Sequence, residues 1–261
     1  MAGKKFIYLA RTYRRTQAHY VYAIIYTLFI VIPILILLIV NLDTVTYMLS
    51  SLSLRILSDA LPQKSFSIRE SGFAPFGITY CLSFDSRFPT SIEILINLLV
   101  VVSVVFILVV SSIRGRPVTV YLLFSFMVHI ISCVYFTFEQ DNFVYTATEF
   151  SDIFVKQQIS IWLLFIVMMG AVTALIGRHG FLNKILAFFG LLIYSLIFGV
   201  IRYIVFMFIL AAGSLLYMAD MYFVFGPIFD FLYLVSFYCM YTNVMQKKLD
   251  SPEGEGEWKW L

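Results

Sequence analysis

Apolar runs of about twenty residues, the length needed to cross a hydrocarbon core of about 30 Å, recur six times along this chain. They cover Tyr20 to Leu42, Ile94 to Ile113, Pro117 to Phe138, Gln157 to Gly177, Ile185 to about Ala211, and about Phe225 to Val244. None shows the two-residue alternation of a membrane β-barrel, and irregular backbone cannot face lipid, so each run predicts an α-helix. The predicted fold is an all-α integral membrane protein, a bundle of six transmembrane helices over 20–246. The first run is longer than a signal-peptide core and has no small-residue cleavage pattern behind it, so it reads as a retained anchor.

Polar positions divide the rest. The segment 1–19 mixes basic and aromatic residues and suits a helix resting on an anionic inner leaflet. The connection 43–93 is the only sizeable loop: Thr44 to Leu61 carries apolar residues at helical spacing and is expected along the interface, and Lys64 to Phe84 alternates like two short strands around Gly72 to Gly77. The tail 247–261, with Pro252, Gly254 and Gly256 among acids, is expected to be flexible. No internal repeat and no inverted pair of broken spans is visible.

Charge orients the bundle. Lys4, Lys5, Arg11, Arg14, Arg15, Arg114, Arg116, Arg178, Lys184, Lys247, Lys248 and Lys259, twelve of the eighteen Lys and Arg residues, fall on alternate connections. The positive-inside rule then predicts both termini cytoplasmic. The opposite side carries Arg55, Lys64, Arg69, Arg87 and Lys156 among ten acids, Asp220 included. Composition agrees, because 61% hydrophobic and 13% charged residues cannot form a water-soluble globule of this length. The net charge of +3 is accounted for by membrane side, so nucleic acid is not an expected partner; lipid is.

Five residues, Arg202, Asp230, His129, Cys133 and Cys81, could carry chemistry. Arg202 lies inside the fifth run, where an unpaired guanidinium costs about 2.5–3.5 kcal/mol on insertion scales; it is expected to face the bundle interior and to pair with Asp230 of the sixth. The alternative is a purely structural pair, or an Arg that snorkels outward while Asp230 caps the helix after Pro227. His129 shares a helix face with Ser125, Ser132 and Cys133, either lining a polar cavity or simply bonding a neighbouring helix. Cys81, outside the runs, is a candidate nucleophile or an inert loop thiol. Gly170, Gly177, Gly190 and Gly199 point to close helix approach. No metal cluster, phosphate-cradling loop or cofactor motif is seen, and the isolated Cys81, Cys133 and Cys239 predict no disulfide framework.

The stretch Phe181 to Ile209, with Gly199 and Arg202 in GVIR, resembles the late segment of the exosortase/archaeosortase family, multi-pass membrane proteins with a Cys/Arg/His site. The resemblance aligns the family's cysteine with SDIFVKQQIS, Ser151 to Ser160, and its histidine with FVFGPIFDF, Phe223 to Phe231. Neither stretch contains that residue. The resemblance therefore implies a non-catalytic or vestigial relative acting by helix contact with a membrane-protein partner in a cell-envelope or exopolysaccharide assembly of the cell membrane. Two alternatives stay open. One is a cysteine protease/transpeptidase with Cys81 or Cys133 as nucleophile, His129 as base and Arg202 stabilising an oxyanion. The other is a small transporter or ion pathway lined by Arg202, Asp230 and His129.

Overall fold

A computed structural model describes residues 14–16, 20–110, 117–175, 181–249 and 258–260. Six of its helical segments are long and apolar enough to cross a membrane: Tyr20–Val40, Ser91–Val110, Val118–Phe138, Ala147–Leu175, Phe181–Ala212 and Leu215–Met245. The chain is a multi-pass helical membrane protein. It divides into two compact units, one of Met1–Leu35, Leu164–Ile193 and Leu234–Leu261, the other of Ile36–Leu163 and Tyr194–Tyr233.

In the first unit, α1 (Tyr20–Tyr26) passes through a π turn at Thr27–Val31 into the start of α2 (Ile32–Val40). Pro33 has no N–H and its ring crowds the carbonyl four residues back, and the wider π turn absorbs both faults. Val31 at the end of that turn packs directly on Gly170, where a Cβ would lie 2.6 Å from a valine methyl. Thr173 donates a hydrogen bond to the Tyr26 hydroxyl at 3.2 Å. Lys184, expected in a solvated connection, is instead buried in the first turn of α7 (Phe181–Ala212), with its ammonium 5.9 Å from the centre of the Tyr26 ring. A Cβ on Gly190 would meet Phe237 at 3.7 Å, an ordinary contact, and Gly177 lies outside the described residues. Backbone pairing joins β1 (Arg14–Thr16) to β4 (Trp258–Trp260), so these parts of the two termini are strands rather than interfacial helix or loose tail; the rest of both segments, up to the end of α8 (Pro227–Leu249), lies outside the described residues.

The second unit holds the large apolar core. In α3 (Leu42–Ala60) the face of Leu42, Thr46, Leu49, Ser50, Ser53 and Leu57 is buried against the protein. It packs on a hairpin of β2 (Ser67–Phe73) and β3 (Gly77–Ser83), with Ser50 donating to the Tyr80 carbonyl at 2.8 Å and the Tyr80 N–H donating to Thr46 at 3.2 Å. Gly77 closes the hairpin at φ +117°, a conformation that a residue with Cβ rarely adopts. Two helices follow, α4 (Ser91–Val110) and α5 (Pro117–Phe138). Arg114 and Arg116 between them lie outside the described residues, as does Arg178.

The fourth run is longer than its hydropathy indicates. Helix α6 spans Ala147–Leu175 and so starts ten residues before the expected Gln157. Glu149, Asp152 and Lys156 dilute the apolar signal there, yet Thr146 caps the helix: its hydroxyl accepts from the Glu149 N–H at 3.2 Å and Glu149 reaches back to the Thr146 N–H at 2.8 Å. This is a reciprocal capping box. A second departure lies after α7, where Leu215–Tyr217 forms a 3-10 turn and Asp220–Val224 a π turn before α8. By hydropathy and charge this stretch is only the connection between the last two runs.

Candidate functional site

Arg202 sits ten residues before the end of α7, and only 6% of it is exposed. Its guanidinium is enclosed by four hydrogen bonds: to Asp230 Oδ2 at 2.7 Å, to Gln158 Oε1 at 2.5 Å, and to the carbonyls of Phe225 and Gly226 at 3.0 and 3.2 Å. The rings of Phe154 and Phe198 lie 5.3 and 5.5 Å from its central carbon, close enough for cation–π attraction in a desolvated setting. The expected partner, Asp230, is thus found on Arg202, both side chains at most 5% exposed. Neither snorkels.

The cluster extends beyond the ion pair. Tyr233, one turn after Asp230, donates to Asp230 Oδ1 at 2.7 Å, and its hydroxyl shares a further 2.7 Å bond with Ser195. Trp162 donates to the Ser195 carbonyl at 3.4 Å. Two glycines make the enclosure tight. A Cβ on Gly199 would come within 3.0 Å of the Gln158 amide, and one on Gly226 within 2.1 Å of the Tyr222 carbonyl oxygen. Only a residue without Cβ lets the chain turn closely enough there for two successive carbonyls to face Arg202. Arg202 Nε and Gln158 Nε2 are buried donors without an acceptor.

His129 belongs to a different set. Its Nδ1 bonds Asp220 Oδ2, a residue that had been assigned to the outer connection but which the π turn brings back against α5. Tyr217 stacks on the imidazole at 5.8 Å, and Cys133 follows one helical turn on. Ser132 donates to the Leu216 carbonyl at 2.8 Å, whereas Ser125 bonds back to Tyr121 of its own helix at 2.9 Å. Cys133 is wholly buried. Among the described residues the two sets have different hydrogen-bond partners: Asp220 on His129, and Gln158, Asp230 and two carbonyls on Arg202.

Cys81 joins neither. It lies on β3, 1% exposed, with its thiol directed to the Arg69 carbonyl at 3.7 Å. Burial first, and the carboxylate of Asp152 second, push the thiol up to about 11, which keeps it protonated and poorly nucleophilic at neutral pH. Among the described residues no three His, Cys, Asp or Glu side chains form a group able to hold a metal ion.

Sequence reasoning missed Gln158, Asp220, Tyr233 and the two carbonyls. Gln157 and Gln158 side by side at the head of an apolar run were the available signal, since an amide inside a bundle must find a partner. Gly226 before Pro227 marked the turn that frees the carbonyls. No family model matches the chain, and no match is found among curated proteins or solved structures.

Proposed function

We propose that this is a non-catalytic, exosortase-like membrane protein with both termini cytoplasmic, acting through helix contacts in a cell-envelope assembly that makes or exports surface polysaccharide. One observation carries the reading. The three stretches that the resemblance aligns with a Cys/Arg/His site contribute Gln158, Arg202 and Asp230 to one cluster. Where thiol chemistry needs a nucleophile and a proton carrier, this chain has an amide and a carboxylate already bonded to the guanidinium. Such a cluster can join three helical segments but offers no group to attack a substrate.

The Cys133, His129 and Asp220 row favours a second reading, a thiol enzyme whose base is oriented by a carboxylate. Against it stands the complete burial of Cys133. Deleting the gene from its own host and measuring surface polysaccharide distinguishes the two. A chain with Cys81, Cys133 and Cys239 all replaced by alanine should restore the wild-type level if it reaches the membrane folded. Failure of that variant, with restoration by one retaining Cys133, overturns the non-catalytic reading. Scaffold action further predicts a stable partner that co-purifies and is lost when the exposed α4 residues Leu99 and Phe106 become alanine.

A further inference from the structure

The hairpin lies along the head of α6. Three contacts measure its depth along α6: Thr148 bonds Ser83 at 3.2 Å, Ser151 accepts from the Leu82 N–H at 3.1 Å, and Lys156 donates to Ser71, which pairs with Thr79, at 2.8 Å. From Thr148 to Lys156 is about 12 Å of helix rise, and from Ser83 to Thr79 about 13 Å of strand, so β3 runs antiparallel to α6 with its tip leading toward the apolar part of that helix. Helix α6, with 29 residues, is about 43 Å long against a hydrocarbon core of about 30 Å. All its charges, Glu149, Asp152 and Lys156, fall in the first ten residues. The surplus length is therefore at the hairpin end, and the uncharged run able to span hydrocarbon begins just past Lys156.

The hairpin changes character at the same level. Arg69 and Glu70 are exposed beside Tyr80, whose hydroxyl bonds Glu70 at 3.3 Å. Beyond Ser71 the tip reads Gly-Phe-Ala-Pro-Phe-Gly-Ile with no charge, and it continues about 7–10 Å deeper. Ile78 is 51% exposed, Ala74, Pro75 and Gly77 are exposed, and the half-buried Phe73 and Phe76 pack on each other at 5.2 Å and against the core, anchoring the exposed tip. Its backbone demand is small: the Phe76 N–H donates to the Phe73 carbonyl at 2.7 Å, and Pro75 has no N–H. Two separate segments thus turn from charged to apolar at one height, joined there by the Lys156–Ser71 bond.

We propose that the tip Phe73–Ile78 inserts into the boundary between headgroups and acyl chains of the leaflet on its side, a lipid-contacting wedge attached to the helical bundle. An apolar segment entering about 5–10 Å is the depth at which interfacial elements sit. The proposal needs only that the helices span a bilayer, so its failure leaves the envelope reading where it stood. The test uses Cys239→Ala chain in phosphatidylcholine/phosphatidylglycerol nanodiscs, in which the buried Cys81 and Cys133 stay unlabelled. An environment-sensitive fluorophore is attached at Ile78→Cys, and for comparison at Gln63→Cys, exposed at the other end of the hairpin. Position 78 should emit to the blue of position 63, be quenched at least twofold more by lipids with a shallow doxyl group, and at least threefold less by iodide. Pro75→Cys should show the same order, which guards against a local effect of the label at 78. Iodide quenching of 78 and 75 equal to that of 63 overturns the proposal. So does protection of both from either quencher, which would mean burial against another copy of the chain.

Discussion

Replacing Asp230 with alanine removes the only carboxylate that the described residues place on a guanidinium with almost no contact with solvent. Tyr233 keeps Ser195 as a partner and Arg202 keeps Gln158 and two carbonyls, so the lost hydrogen bonds are the smaller part of the cost. The larger part is a buried cation left without its counter-ion, worth about 3–5 kcal/mol when one partner of such a pair is deleted. At roughly 2–4 °C per kcal/mol for a chain of this size, unfolding in detergent should shift down by about 6–20 °C. The measurement is loss of the monodisperse chromatographic peak with temperature, checked by the emission of Trp162 beside the cluster. Replacing both partners, Arg202→Met with Asp230→Leu, should be less harmful than either single change, because no orphan charge remains. A loss below about 1 kcal/mol for Asp230→Ala, or a double variant as bad as the sum of the singles, would refute the reasoning.

The remaining predictions follow from geometry of the same kind. Gly226→Ala should prevent accumulation of folded protein, because its Cβ would meet the Tyr222 carbonyl at 2.1 Å and backbone cannot step aside; a thermal scan of any recovered material checks it. Gly170→Ala, which presses on the methyls of Val31, should cost about 1–3 kcal/mol in the same scan. Thr146→Ala removes the capping box at the head of α6 and should cost about 1 kcal/mol. Cys81, with its thiol held up to about 11, should alkylate about a hundredfold more slowly at pH 7.5 than a thiol of ordinary pKa, and its rate should climb with pH up to that value. Since the folded state favours the protonated thiol, stability should be full below the ordinary thiol range and fall as pH rises from there toward 11.

Hydropathy made most of the fold legible, and its errors have physical causes. Helix α5 begins and ends where Pro117 and Phe138 predicted, because basic turn residues bound an apolar run on one side and acids on the other. The hairpin was legible from Gly72 and Gly77. The head of α6 was not, because hydropathy scores Glu149, Asp152 and Lys156 against a membrane helix although the helix runs through them. Thr146 and Glu149 spelled a helix start that hydropathy does not read. In the cluster, the pairing of Arg202 with Asp230 followed from the cost of an isolated charge in lipid. Gln158 and Asp220 needed three dimensions: one amide among many polar residues, and one acid on a connection that folds back against His129 as a π turn.

Chemical access to Arg202 tests the central claim most directly, because a sealed guanidinium is what separates a structural cluster from an open site. The folded chain in nanodiscs is treated with phenylglyoxal and the modification of each arginine is followed by mass spectrometry. The account predicts that Arg55, Arg69 and Arg87 react while Arg202 stays intact until the protein unfolds or Asp230 is replaced. Modification of Arg202 in the folded wild-type chain at the rate of Arg69 would contradict it.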